Sequence, residues 1–215
     1  MLKILLTVKI LLLLVSCSSS KTFTVPTQFK SIQAAVDAAA YGDTVIVEPG
    51  IYLERIKMKA GVILKSMGDD SKGKLGLLRA EKTVIDGSRS PKDMPGVEMA
   101  VDAVIDGFTV TGVGKYDEVR WKKHYKSKGE MQSHDHIGEP GTAGIATQVD
   151  CKIENNIIHH IGYTGIALSG EKCTATVRSN ICYRNMGGGI GSMSKSKALI
   201  EKNICYENFL SLIHI

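Results

Sequence analysis

The chain has 215 residues, of which 43% are hydrophobic and 6% aromatic, and its formal net charge is +5. Such a mild positive charge is not the concentrated basic surface that nucleic-acid-binding proteins use, so we expect no nucleic-acid partner. The length and the apolar content are sufficient for one domain with a continuous core.

The first 16 residues are predicted to be a lipoprotein signal peptide and are excluded from the fold. Lys3 and Lys9 precede a short apolar run, and residues 14–17, Leu-Val-Ser-Cys, resemble a bacterial lipobox. Cys17 would then be the lipidated first residue of a protein exported to the outer membrane or the cell surface. Its contact with the membrane would be through the lipid anchor only. The alternative is an ordinary signal peptide with a chance cysteine.

A short amphipathic helix is predicted near the start of the folded region. Ile32, Ala35, Val36 and Ala39 follow helical spacing, and Ser31 is in position to cap the helix. We interpret this helix as a cap that covers the unpaired edge of a β structure, because such edges promote aggregation when they are open.

Four β-rich segments follow and are interpreted as the same strand on successive coils of a solenoid. Two of them end in Asp86-Gly87 and Asp106-Gly107, which we interpret as equivalent turns. Cation binding by these carboxylates is the alternative. The segments are Val45–Val47, Val62–Leu64, Val84–Gly87 and Val104–Gly107.

The strongest pattern is a repeat in the second half of the chain. Asn156, Asn180 and Asn203 recur 24 and 23 residues apart, each followed by isoleucine. Every repeat contains three short β-rich segments and none long enough for a helix, which indicates a stacked architecture. The sequence therefore predicts an all-β fold, a single-stranded parallel β-helix of about seven coils with a short N-terminal capping helix. The asparagines are predicted to form a structural ladder, one amide bonding the next.

Two cysteines share the register of this ladder. Cys182 and Cys205 each lie two residues after a ladder asparagine, so we expect them to stack on neighbouring coils as buried thiols. The cysteine spacings are not those of a zinc site.

The predicted domain boundaries follow from these patterns. Residues 17–26 are assigned to a short linker and residues 27–209 to the β-helix domain. Another Gly-Ile strand is expected after Phe209, but residues 210–215 read Leu-Ser-Leu-Ile-His-Ile instead. We interpret this hexapeptide as a non-native tail and expect the natural chain to continue.

The opening of the folded region resembles a known group of proteins. Residues 29–36 (FKSIQAAV), 42–47 (GDTVIV) and 49–52 (PGIY) look like the start of right-handed parallel β-helix proteins of the pectin-lyase-like superfamily. The resemblance extends over about residues 22–209 and implies the fold, but this superfamily includes lyases, hydrolases, esterases and non-enzymes. The sequence motifs of polygalacturonases, pectin methylesterases and one group of pectate lyases are not found here.

One long interruption of the repeat, residues 115–142, is the predicted binding face. Its aromatic residues could stack on sugar rings, and its cations could pair with uronate carboxylates. The alternative is a solvated loop whose aromatic residues pack on the coil. The predicted substrate-binding residues are Trp121, Arg120, Tyr125 and Tyr116.

The same interruption contains the candidate catalytic residues Lys122, Lys123, His134 and His136. For β-elimination, one of these would remove the C5 proton of a uronate, while Arg120 or calcium neutralises the carboxylate. His134, His136 and His159 could instead bind a metal ion. No cofactor other than calcium is implied.

We therefore expect an exported β-helix protein that engages an acidic polysaccharide, with polysaccharide lyase activity as the candidate reaction. Glycoside hydrolysis would need two carboxylates at a fixed separation, and the sequence does not pair them. The rival interpretation is a non-catalytic surface β-helix that binds glycan or a metal ion.

Overall fold

A computed structural model describes residues 19–69, 71–89, 93–127 and 142–210, together with the backbone of Ile213–His214. The predicted signal peptide, the predicted lipidation site Cys17, and the candidate residues His134 and His136 lie outside these residues. Among the described residues, no helix is both long enough and apolar enough to cross a membrane.

In the described parts of the chain, nineteen short strands form three parallel sheets, and each turn of the chain passes through them in the order A, B, C. Sheet A consists of β1 (Thr22–Val25), β2 (Thr44–Val47), β5 (Ile63–Ser66), β8 (Val104–Asp106), β11 (Lys152–Glu154), β14 (Thr176–Arg178) and β17 (Leu199–Glu201). Sheet B consists of β3 (Gly50–Tyr52), β6 (Thr83–Asp86), β9 (Thr109–Thr111), β12 (Ile157–His159), β15 (Ile181–Tyr183) and β18 (Ile204–Tyr206). Sheet C consists of β4 (Ile56–Lys57), β7 (Val97–Glu98), β10 (Ile145–Thr147), β13 (Ile166–Ser169), β16 (Ile190–Met193) and β19 (Ile213–His214).

The predicted parallel β-helix is therefore present. The described strands make six coils preceded by β1, against the predicted seven or so, because two coils are lengthened by insertions. Strand β1 pairs in register with β2, so the first sheet begins inside the segment assigned to a linker at 17–26. At the other end, Ile213 pairs with Ile190, which places a strand where the repeat requires one.

The core consists of aliphatic side chains stacked in register from coil to coil. Alternate residues of a strand point to opposite faces, so each short strand contributes about one inward side chain. In sheet A, for example, the inward positions align across neighbouring strands, and all of them are fully buried. These positions are Val45, Leu64, Ile105, Ile153 and Val177.

Helix α1 (Ile32–Ala38) covers the first coil as expected. Ser31 Oγ accepts a hydrogen bond from the Ala34 amide at 3.2 Å, and Ile32, Ala35 and Val36 are buried. The carboxylate of Glu54 adds a second cap, because it accepts from the amides of Ile32 and Gln33. The helix start is thus fixed by its own N-cap and by the coil beneath it.

The interpretation of Asp86 and Asp106 as equivalent turns is wrong. Asp86 ends β6 in sheet B, whereas Asp106 ends β8 in sheet A, where it pairs with Lys65. The insertion before β6, which contains α2 (Leu78–Lys82), had shifted the apparent period. Asp86 caps its own turn through the Ser88 amide at 2.9 Å, but Asp106 instead binds the buried Arg79 of α2 at 2.8 Å.

The asparagine ladder has the geometry that the repeat predicts. Asn156 Nδ2 donates to Asn180 Oδ1 at 3.1 Å, and Asn180 Nδ2 donates to Asn203 Oδ1 at 3.0 Å. Cys182 and Cys205 are likewise register partners on β15 and β18, and both are free thiols. Burial raises the pKa of the Cys182 thiol well above its ordinary value, which is consistent with a packing role.

Candidate functional site

The described part of the long insertion contains helix α3 (Glu118–Lys126), which Asp117 caps by accepting from the Arg120 amide at 2.9 Å. Its two ends meet on the coil. Gly114 has a φ of +73°, and a β-carbon there would lie 2.8 Å from Thr142 Oγ1. The insertion therefore leaves and rejoins the coil at one point, and this close approach requires glycine at 114.

Trp121 anchors α3 to the coils rather than forming an open platform for sugar. Its side chain is only 5% exposed, and it packs with Met186 and Phe209. The indole Nε1–H donates to the Glu207 carbonyl at 2.9 Å, and the Arg184 guanidinium lies over the ring at 4.2 Å. These contacts correspond to the alternative in which the aromatic residues of the insertion pack on the coil.

The other candidate residues on α3 face solvent. Arg120, Lys122, Lys123 and Tyr125 are exposed, with Tyr125 stacked on Trp121 at a centroid distance of 5.0 Å. Among the described carboxylates, Glu118 lies 3.2 Å from Lys122, and none lies within ion-pair distance of Lys123. Helix α3 thus presents a basic outer face.

Tyr116 belongs to a polar cluster at the start of α3. Its hydroxyl donates to Glu118 Oε2 at 2.8 Å, and Arg184 Nη2 donates to Glu118 Oε1 at 2.9 Å. Burial and the hydrogen bond to Glu118 raise the pKa of Tyr116, so its hydroxyl stays protonated and acts as a donor. Its ring also contacts His160 at a centroid distance of 4.7 Å.

His159 and His160 form a hydrogen-bonded pair beneath this cluster. Their Nδ1 atoms lie 2.7 Å apart, and Thr111 Oγ1 lies 3.3 Å from His159 Nδ1. One ring must donate and the other accept, so only one of the two Nδ1 atoms carries a proton in this geometry. Burial, followed by the charges of His160 and Arg184, lowers the pKa of His159 to about 4, and burial also lowers the pKa of His160.

This pair does not have the geometry of a metal site. Two nitrogen ligands of tetrahedral zinc are separated by about 3.3 Å, given Zn–N distances of about 2.0–2.1 Å. The histidine nitrogens are closer and share a hydrogen bond instead. Within the described parts of the chain, no three His, Cys, Asp or Glu side chains are grouped to hold a metal ion.

A groove of about 620 Å³ runs across the outer face of sheet C. Ala146 and Ala167 form its floor, because small outward side chains recur after each Gly-Ile pair. Tyr163 lines the side nearest sheet B, and Glu98 is the one charged residue among the described residues that line it. Further lining residues are Pro95, Met99, Ala143, Thr147, Gln148, Val149, Ser169 and Met193.

Helix α3 lies beside this groove. Trp121 contacts Met186, and the next residue, Gly187, donates its amide to the Tyr163 carbonyl at 2.9 Å. The corner that carries α3 is thus directly continuous with the rim that carries Tyr163. Ala143, which immediately follows the end of the insertion at Thr142, also lines the groove.

Sequence reasoning missed several of these residues. Asn185 and Asn208 form a second ladder, in which Asn185 Nδ2 donates to Asn208 Oδ1 at 2.9 Å. Their 23-residue spacing was visible in the sequence. Arg184 was missed because nothing local indicates its contacts with Trp121 and Glu118.

Comparison with known proteins supports the fold. Residues 134–215 match the family model described as "Right handed beta helix region". This match covers 82 of the 215 residues, and the three parallel sheets continue the same parallel β-helix architecture through the rest of the described chain. No curated protein matches the sequence.

Two solved structures are similar in fold. One is the pectin methylesterase PemA from Erwinia chrysanthemi, with 10% identity, 82% coverage of this chain and a TM-score of 0.43. The other is a pectin methylesterase mutant in complex with hexasaccharide IV, with 11% identity, 83% coverage and a TM-score of 0.44. The chain spans 55% and 56% of these two proteins.

Proposed function

We propose that this β-helix binds an acidic polysaccharide along the corner between sheets B and C. The observation that carries the proposal is an open groove on sheet C directly beside a helix with a basic outer face. Arg120, Lys122 and Lys123 would face the uronate carboxylates, because guanidinium and ammonium groups pair with such anions.

The lining of the groove suits the remaining atoms of a sugar. The ring of Tyr163 offers an apolar face with a polar edge, and Glu98 and Gln148 can accept hydrogen bonds from hydroxyl groups. The small floor residues Ala146 and Ala167 leave room for a pyranose ring to approach the backbone. The positive charge on the outer face of α3 and the hydrogen-bond acceptors that line the groove together favour an acidic glycan over a neutral one.

Blocking the groove tests this proposal. Ala167 points outward between two buried residues of β13, so Ala167→Glu adds bulk and negative charge to the floor without entering the core. We expect the affinity for an oligogalacturonate to fall about tenfold or more, a change of about 1.4 kcal/mol. Isothermal titration with the wild type and the variant measures the difference.

Thr176→Glu is the matched control for this variant. Thr176 is also a half-exposed outward residue, but it lies in sheet A on β14, away from the groove. It adds the same charge to the chain, so it isolates the effect of position from that of net charge. Equal losses of affinity in the two variants would contradict binding in the sheet C groove.

Polysaccharide lyase activity is the second candidate, since Lys123 is an exposed amine without a carboxylate partner among the described residues. It could remove the C5 proton of a bound uronate, with Arg120 or calcium opposite the carboxylate. Hydrolysis by paired carboxylates has less support, because the described groove lining offers Glu98 alone.

Ultraviolet absorbance of unsaturated uronate ends detects this reaction directly. If the chain is a lyase, absorbance rises on pectate, alginate or a glycosaminoglycan, measured with and without calcium. Lys123→Ala or His134→Ala should then lower the rate about 100-fold or more, as loss of a general base does. Lys152→Ala, an exposed lysine of sheet A, is the control and should leave the rate unchanged. Binding without any rise in absorbance would leave the non-catalytic binding protein as the function.

A further inference from the structure

Three donors converge on one carboxylate at the start of α3, two of them local and one from a later coil. Glu118 Oε1 receives Arg184 Nη2 at 2.9 Å and Lys122 Nζ at 3.2 Å, while Oε2 receives the Tyr116 hydroxyl at 2.8 Å. Charge-assisted donors grouped around two oxygen atoms are the arrangement that proteins use to bind a free acid. Here the acid is a side chain of the protein itself.

Two of the donors, Arg184 and Tyr116, are held in place by contacts that do not involve Glu118. The guanidinium of Arg184 lies over Trp121 at 4.2 Å, and the ring of Tyr116 packs edge-on against His160 at 4.7 Å. The Arg184 Nε–H is buried and makes no hydrogen bond to any described group, so Glu118 does not use the full capacity of the guanidinium. Arg184 and Tyr116 would therefore stay in position if the Glu118 side chain moved away.

Glu118 itself is accessible and replaceable. Its side chain is 40% exposed, and the side chains of Lys122 and Arg184 are 62% and 27% exposed, so the cluster opens to solvent. The hydrogen bond from Tyr116 holds the pKa of Glu118 below its ordinary value, which keeps this carboxylate ionised at neutral pH. An ionised, half-exposed carboxylate competes with an external one of the same chemistry.

We propose that Tyr116, Lys122 and Arg184 form a carboxylate-binding subsite that Glu118 occupies until a uronate carboxylate of the polysaccharide displaces it. This inference rests on the proposed function, because the displacing ligand is a residue of the acidic glycan. It adds a specific position at which a uronate is recognised, at the corner beside the groove. It also makes Glu118 a competitor of the ligand. Removal of Glu118 should then strengthen binding, whereas removal of an ordinary binding residue weakens it.

Removal of Glu118 should therefore strengthen binding. Isothermal titration of oligogalacturonate into Glu118→Gln and Glu118→Ala should give affinities about two- to fivefold higher than the wild type, the range that one exposed ion pair supports. Arg184→Gln should weaken binding instead. Methyl-esterified oligogalacturonate, which has no free carboxylate, should bind the Glu118 variants no better than the wild type.

Glu171→Ala is the matched control. It also removes one negative charge and breaks an exposed ion pair, that with Lys195 at 2.8 Å, but on a different part of the surface. A gain in the Glu118 variants no larger than in Glu171→Ala would overturn the subsite, provided that the wild type binds. Glu118→Gln preserves the shape of the side chain, and the emission of Trp121 reports whether α3 remains packed in each variant. If neither the wild type nor any variant binds the charged oligosaccharide, the proposed function fails together with the subsite.

Discussion

Replacement of Asn180 by alanine is expected to destabilise the protein by about 3–5 kcal/mol, because several fully buried polar groups lose their partners at once. Asn180 Oδ1 accepts from both the amide and the side chain of Asn156, at 3.0 and 3.1 Å. Its Nδ2 donates to the Ile153 carbonyl and to Asn203. Alanine removes all four hydrogen bonds and leaves a cavity between two coils. Urea unfolding followed by circular dichroism measures the loss.

Asn203→Ala provides the comparison within the same ladder. Asn203 is half-buried and lies in the last of the described ladder positions, where water can replace its hydrogen bonds. Its side chain makes three hydrogen bonds, and because water can take over part of them, its replacement should cost about 1–2 kcal/mol. Equal losses for the two variants would show that burial does not determine the strength of the ladder.

Replacement of Trp121 by alanine is the second large effect that we expect, at about 3–5 kcal/mol, the usual cost of truncating a buried large side chain. Trp121 holds α3 to two successive coils through Met186, Phe209 and the Glu207 carbonyl. Without the indole, α3 should detach from the corner and become accessible to protease. Limited proteolysis and urea unfolding measure the two consequences.

This substitution also separates an anchor from a sugar platform. An exposed stacking residue would lose glycan affinity with little change in stability, whereas a 5% exposed indole should lose stability first. Trp121 is the only tryptophan of the chain, so the tryptophan fluorescence reports on it alone. Because the indole is buried, the wild-type fluorescence should be blue-shifted and hardly quenched by acrylamide. Tyr125→Ala, which removes an exposed ring of the same helix, is the control and should cost less than about 1 kcal/mol. Strong quenching in the wild type would contradict the buried position.

The scaffold could be predicted from the sequence because stacking imposes a period on it. Each coil must place its inward residues and its ladder asparagine over those of the coil below, so Asn156, Asn180 and Asn203 recur at nearly constant spacing. The capping helix was visible for a similar reason, since Ile32, Ala35 and Val36 share one helical face. Where an insertion breaks the period, this constraint disappears. The confusion of Asp86 with Asp106 arose at such a place.

The candidate site was less predictable because its contacts are not periodic. Trp121 and Arg184 are 63 positions apart in the numbering, and only the docking of α3 brings them together. Composition indicated correctly that the insertion is basic and aromatic, but not that the tryptophan is buried while the lysines face solvent. The residue types alone did not indicate that Tyr116 donates a hydrogen bond to Glu118 or that its ring contacts His160.

Because Gly114 and Thr142 lie close together, the insertion between them can vary independently of the coils. Strand β9, before the insertion, pairs with β12, and strand β10, after it, pairs with β7. Both flanking strands thus keep their place in the sheets. The length and composition of the insertion can therefore change at a small entropic cost of loop closure, without altering the register of any coil. Exchange of this one segment could therefore change the surface at this corner while every ladder and core position stayed the same. Residues 114 and 142 are neighbours in space although 28 positions separate them in the sequence, so the segment between them can be replaced as a unit.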